Sequence, residues 1–144
     1  MAIIQTTCTS FKLQLLKAEH DFDAHTFRIA LYSSTASLGA DTTVYSTANE
    51  ITNTTGTAYT AGGKPLTVTS TFPKTSGTTA IVDFDNISWT DASFTVRGAL
   101  IYNASASNKA VAVLDFGSDR VASDSTFEIQ FPVADATSAI IRIA

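Results

Sequence analysis

Ser93-Phe-Thr-Val-Arg-Gly-Ala-Leu-Ile-Tyr102, then Asn103-Ala-Ser-Ala-Ser-Asn108, then Lys109-Ala-Val-Ala-Val-Leu-Asp-Phe-Gly117 is the stretch whose reading decides the fold. Two apolar, β-branched runs flank a short loop of small polar residues, the sequence form of a β-hairpin. In the first run Phe94, Val96, Gly98, Leu100 and Tyr102 share one face by period two, and Thr95, Arg97, Ala99 and Ile101 share the other. The second run, residues 110–116, is apolar at nearly every position, as expected of a strand covered on both faces. So apolar a hairpin is not stable alone and needs a second layer. The expectation is an all-β chain, a β-sandwich or jelly roll centred on this hairpin.

Working outward, 144 residues make one domain able to bury about two-thirds of its unfolded surface. At 44% hydrophobic residues the chain builds a core without disulfides or metal. Charged residues are only 15%, and Ser and Thr take their place at about a quarter of the chain. Thr favours extended backbone while leaving its hydroxyl wet, which suits a pleated, half-buried surface. The net charge of −4 and nine scattered basic residues, no two adjacent, argue against nucleic-acid binding, which needs clustered Lys and Arg. Cys8 is the only cysteine, so an internal disulfide is impossible and folding in a reducing cytoplasm is expected. The opening residues show no basic region with a following apolar run, so no secretory signal is expected. Nor is a membrane span, since no apolar run reaches about 18 residues.

Residues 1–9 read as an extended N-terminal arm, and 10–144 as a single β-sandwich domain. Residues 10–19 support two patterns. Phe11, Leu13 and Leu15 alternate as in a strand, whereas Phe11, Leu15, Leu16 and Ala18 share a helical face with Ser10 as N-cap. Leu16 breaks the alternation and the composition favours a helix, so a short helix is expected. Residues 21–25 are a connector, and strands are expected at 26–32, 66–72, 79–85, 126–132 and 139–144. A brief extended piece is expected at 44–45, and 87–89 continue after a kink. Turns or loops are expected at 33–43, 52–56, 73–77, 90–92 and 118–125. Gly62, Gly63 and Pro65 mark a bulge or tight corner.

Few residues suggest chemistry. Asp21, Asp23 and His25, with His20 beside them, would point one way in an extended segment and could hold a metal, but the pattern also fits a solvated turn and no further ligand spacing accompanies it. Asp83-x-Asp85-Asn86 opens like a calcium loop, yet lacks its glycine and closing glutamate, so turn-forming aspartates at strand ends are expected. Cys8 with His20 or His25 carries no nucleophile signature. Trp89 and the tyrosines could form a sugar platform, though packing is the commoner fate of aromatics. No enzyme activity, catalytic residue, cofactor or metal is expected.

Six segments in order, residues 10–16 (Ser-Phe-Lys-Leu-Gln-Leu-Leu), 26–32 (Thr-Phe-Arg-Ile-Ala-Leu-Tyr), 59–63 (Tyr-Thr-Ala-Gly-Gly), 97–103 (Arg-Gly-Ala-Leu-Ile-Tyr-Asn), 109–117 and Phe131-Pro-x5-Ser138-Ala-Ile-Ile-Arg-Ile143, give the chain a resemblance to a family of small tailed-bacteriophage structural proteins. The resemblance spans nearly the whole chain and brings no catalytic residues. It implies a virion protein assembled in the host cytoplasm, with capsid decoration by a jelly-roll "cement" protein as the commonest role at this size. Such a protein binds the major capsid protein or other virion subunits and forms a dimer or trimer. A tail or tail-tip component or adhesin is the alternative, and a host-directed hydrolase or inhibitor a remote one. For the cement role the expected partner-binding residues are Ile3, Ile4, Thr6 and Thr7 in the arm and Ile141 and Ile143 in the last strand. Deletion of residues 1–9 is then expected to leave a folded protein unable to join particles.

Overall fold

The computed structural model describes residues 2–52, 59–68 and 73–144. Along the chain run β1 (Thr6–Thr7), α1 (Thr9–Leu16), β2 (Phe27–Tyr32), β3 (Lys64–Pro65), β4 (Lys74–Ser76), β5 (Thr79–Val82), β6 (Ile87–Asn103), β7 (Lys109–Ile129) and β8 (Ile141–Ile143). The expected hairpin is the spine: β6 and β7 pair antiparallel from Ile87 opposite Ile129 to Asn103 opposite Lys109. At its tip Ser107 and Asn108 take positive φ of 54° and 58°, and Asn103 Oδ1 accepts the Ser105 amide at 3.0 Å. One sheet has the order β1-β7-β6-β2-β3 and the other β4-β5-β8, with every named pairing antiparallel. These two open antiparallel sheets and one short N-terminal helix are consistent with a β-sandwich.

The central strands are apolar on both faces because both faces are covered. Residues directly opposite in an antiparallel pair share a face, so Ile29, Leu31, Ala99 and Ile101 lie on one side and Ala30, Leu100 and Val113 on the other. All seven are buried, each large side chain contributing about 1.5–3 kcal/mol of transfer free energy. Over the first face Phe22 stacks on Phe27 at 4.3 Å, and Phe84, just beyond β5, approaches Phe27 at 6.3 Å. Over the second, Tyr45 stacks on Tyr102 at 4.6 Å and Tyr32 Oη donates to Ser46 O at 2.6 Å. Thus the long connection 33–51, not another sheet, covers that face.

Several expectations are corrected. Residues 118–125 are not a loop: β7 runs through them, with Arg120, Val121 and Ala122 opposite Val96, Thr95 and Phe94. Their polarity follows from exposure, since of residues 117–125 only Ala122 is buried, and backbone pairing does not require apolar side chains. Residues 90–92 are likewise not a turn. β6 bulges there, with Asp91 at φ 53°, and β7 answers with Asp124 at φ 45°. Within the expected turn 73–77, Lys74–Ser76 form β4 against β5 and the reversal falls at Gly77, φ 62°. Of the strand expected at 66–72, Val68 bridges Phe84, and 69–72 lie outside the described residues, as do 53–58 of the expected turn 52–56. The strand expected at 126–132 ends at Ile129, and the last strand covers only Ile141–Ile143. Helix α1 starts one residue ahead of Ser10, with Cys8 at the N-cap position making no side-chain cap. Ser10 Oγ is buried without a partner among the described residues. Only Phe11 of the helix is buried and Leu16 is fully turned outward, so Leu16 does not join the inward face expected of it.

The first residues are extended but stitched on both sides. Thr6 and Thr7 pair with Val113 and Ala112, while on the other side Ile4 N donates to Leu38 O at 2.9 Å and Thr9 N to Ala40 O at 3.0 Å. Ile3 packs onto Gly98, where an added Cβ would stand 2.8 Å from Ile3 Cγ2 and 2.6 Å from Leu114 O. The glycine is what lets the segment lie this close to the sheet.

Candidate subunit-binding surfaces

The structure divides the six expected contact residues by burial. Ile3 and Ile141 are each 8% exposed and belong to the core, whereas Ile4 is 62% and Ile143 53% exposed. Thr6 and Thr7 are half-buried. Alternation along an extended chain produces the split, since neighbours point to opposite faces.

The exposed members line two separate clefts. Ile4, Gln5 and Thr6 form one wall of an open cleft of about 840 Å³, completed by residues 37–44 and the ends of the 46–49 segment. Ile141 and Ile143 line another, of about 400 Å³, whose remaining walls are largely apolar: Leu15, Phe22, Ile81 and Val82, with His20 and Asp21 at one side. Exposed Val44 adds to the first cleft. Sequence reasoning missed Leu13 and Leu16, which α1 presents to solvent; their three-residue spacing opposite Phe11 was the signal available.

The residues singled out for chemistry do not converge. His20 and His25 turn inward to Asn103 Nδ2, at 3.0 and 2.9 Å, while Asp21 and Asp23 stay exposed, Asp21 Oδ1 accepting the Asp23 amide at 2.9 Å. Among the described residues no three His, Cys, Asp or Glu side chains group as metal ligands. Cys8 is buried, its Sγ 3.9 Å from Gly39 O, and burial pushes its thiol up to about 11. It therefore stays a protonated thiol at neutral pH. Trp89 is wholly buried, with Lys64 Nζ 5.5 Å from its ring centre, so it offers no platform to solvent. Among the described residues no helix is long and apolar enough to cross a membrane.

No protein-family model, curated protein or solved structure matches this chain. The surfaces must therefore be read from their own chemistry.

Two carboxylates that sequence reasoning passed over or misplaced prove central. Glu50 accepts hydrogen bonds from Tyr45 Oη (2.7 Å), Tyr59 Oη (2.5 Å) and Gly62 N (2.7 Å), tying the 44–51 connection to the 59–63 corner. Asp83 is buried instead of capping a solvated turn. Its Oδ1 accepts the Phe84 amide at 2.9 Å, and Oδ2 has no partner among the described residues. Burial raises its carboxyl above the ordinary value, so the fold favours the protonated form. For a raised acid, the stability contribution is full below the unfolded value and is lost as pH rises through the folded one. Asp83→Asn removes a buried charge at neutral pH. Its melting midpoint at pH 7 is expected to rise by a few degrees, and the gap from the parent to shrink below pH 4. An unchanged or lower midpoint at pH 7 would contradict this.

Proposed function

We propose that this chain is a bacteriophage virion structural protein, a capsid decoration protein of jelly-roll type that binds across major capsid protein subunits as a homo-oligomer. The observation that carries the reading is the pair of clefts bordered by exposed Ile4 and Ile143. The six ordered segments resembling small tailed-phage structural proteins support the virion setting, and the acidic, Ser/Thr-rich composition suits a protein that meets other proteins and not nucleic acid. Cementing works by repetition: each copy needs only modest apolar contact, because many copies on a lattice add through multivalency.

The arm carries Ile3 and Cys8 into the core, so deletion of residues 1–9 would now unsettle the fold, and point changes are the cleaner test. Ile4→Asp and Ile143→Asp place a charge at exposed positions whose substitution costs the fold no more than about 0.5 kcal/mol. Sedimentation with undecorated capsids is expected to show at least a tenfold loss of binding for one variant, with melting unchanged. Full binding by both variants, or label found on tails and not on capsids, would overturn the cement reading.

A further inference from the structure

We infer that His20, Asn103 and His25 form an acid-sensitive latch, which pins the connector between α1 and β2 to the tip of the β6–β7 hairpin and holds Phe22 in the wall of its cleft. Asn103, the last residue of β6, is wholly buried. Its Oδ1 is taken by the Ser105 amide, which fixes the side chain with its two N–H groups toward the histidines. One donates to His20 Nδ1 at 3.0 Å and the other to His25 Nδ1 at 2.9 Å. Each Nδ1 must then carry a lone pair. His25 Nδ1 also faces the Asp21 amide at 3.2 Å, and His20 Nε2–H donates to Gln14 Oε1 at 2.8 Å. Both Nδ1 atoms are thus held as acceptors, and a proton on either would set donor against donor.

The surroundings offer an imidazolium at His20 little relief. From α1 the Phe11 ring lies 4.8 Å away and from β2 the Phe27 ring 6.3 Å. From β7 comes Lys109, whose Nζ is 2.7 Å from Glu19; Lys17 sits 3.4 Å from the same carboxylate. Glu19 is therefore already engaged twice. From the connector, His25 adds no compensating charge and the Asp21 and Asp23 carboxylates are exposed. The cleft residues of β5 and β8 are apolar. Burial first, then Lys109 and His25, hold His20 below the ordinary imidazole value against the opposing pull of Glu19. A base so lowered contributes stability that is present above its unfolded value and lost as pH falls from there through the folded one. What the latch holds is Phe22, buried in the core cluster and stacked on Phe27. Opening would expose it together with the apolar cleft.

Hydrogen exchange on the intact protein at pH 7.5 and 5.5, corrected for intrinsic rates, tests this. The His25 and Thr26 amides, bonded to Asp21 O and Ser105 Oγ, are expected to lose about tenfold in protection as His20 takes up a proton on opening. The Ile29 and Leu100 amides should hold. Asn103→Asp replaces the donor with an acceptor, so its connector is expected to be better protected at pH 5.5 than at 7.5. His20→Phe keeps the ring contacts without the titration, and its acid response should shrink about tenfold. Equal connector protection at both pH values would overturn the latch. So would loss at Ile29 and Leu100 in step with the connector, or an unaltered acid response in both variants.

Discussion

Gly63→Ala is expected to lose most of the folded population. A Cβ on Gly63 would stand 1.7 Å from Ile29 O, 2.6 Å from Ile29 C and 2.9 Å from Ala30 Cα, at a φ of +75°. The obstacles are backbone on β2, so no rotamer change relieves them. The corner would have to withdraw from β2, breaking the pairing of Ile29 with Lys64 and Arg28 with Pro65. With it would go the bonds that converge there: Arg28 to Gly63 O at 2.8 Å, Tyr102 Oη to Gly62 O at 2.6 Å and the Gly62 amide to Glu50. A loss of about 4 kcal/mol or more is expected, against a total stability of about 5–15 kcal/mol for a domain. Gly77→Ala is the control. It has the same left-handed backbone, φ +62°, but nothing within 4 Å of the added carbon, so it should cost only about 1–2 kcal/mol. Urea denaturation of the pair separates close approach from backbone preference; similar losses would show that Gly63 is needed for its φ alone.

Glu50→Ala is expected to cost about 2–4 kcal/mol, because three donors lose their acceptor together. Tyr59 is buried, and its hydroxyl accepts the Leu31 amide at 2.9 Å while donating its own proton to Glu50. Glu50→Gln should cost clearly less. Its carbonyl still serves Tyr59 and Gly62, and the Tyr45 hydroxyl can rotate to accept from the new amide. Burial first and Glu50 next push the Tyr45 phenol well above the ordinary tyrosine value. An ultraviolet titration of Glu50→Ala should therefore show a tyrosine ionising at lower pH than in the parent. Equal stability of the Ala and Gln variants would mean that Glu50 fills space there and holds nothing.

Both predictions concern a corner that the sequence marked only as a corner. Gly62-Gly63-Lys64-Pro65 announces positive φ and the end of any helix, and both glycines do take positive φ. That Gly63 abuts the carbonyl of Ile29 is a tertiary fact, because the 33 residues between them leave no trace of the approach in either segment. Glu50 tells the same story. Alone in a polar stretch it reads as a solvated side chain, and only packing brings two phenols from different segments onto it.

Legibility fell off wherever burial and pairing parted company. Period two and β-branching found β2, β5 and the inner halves of β6 and β7, because there apolar side chains and paired backbone coincide. The outer half of β7 failed the same test: Arg120 and Ser125 sit on paired but exposed backbone, and the bulges at Asp91 and Asp124 break the alternation that would have revealed it. The histidines were noticed as a cluster, but their partner, Asn103, ends β6, 83 positions along the chain from His20.

Composition and alternation by themselves determined that the chain would bury a β-rich core around residues 93–117, since apolar area must leave water and extended backbone must pair. They also determined that a short helix would precede the first long strand. Only the tertiary structure decided which isoleucines face inward, leaving Ile4 and Ile143 outside and Ile3 and Ile141 within, and which carboxylates are buried. Those outcomes depend on which side of each strand a distant segment covers, and that is settled by the packing of the whole chain and not by any local run of residues.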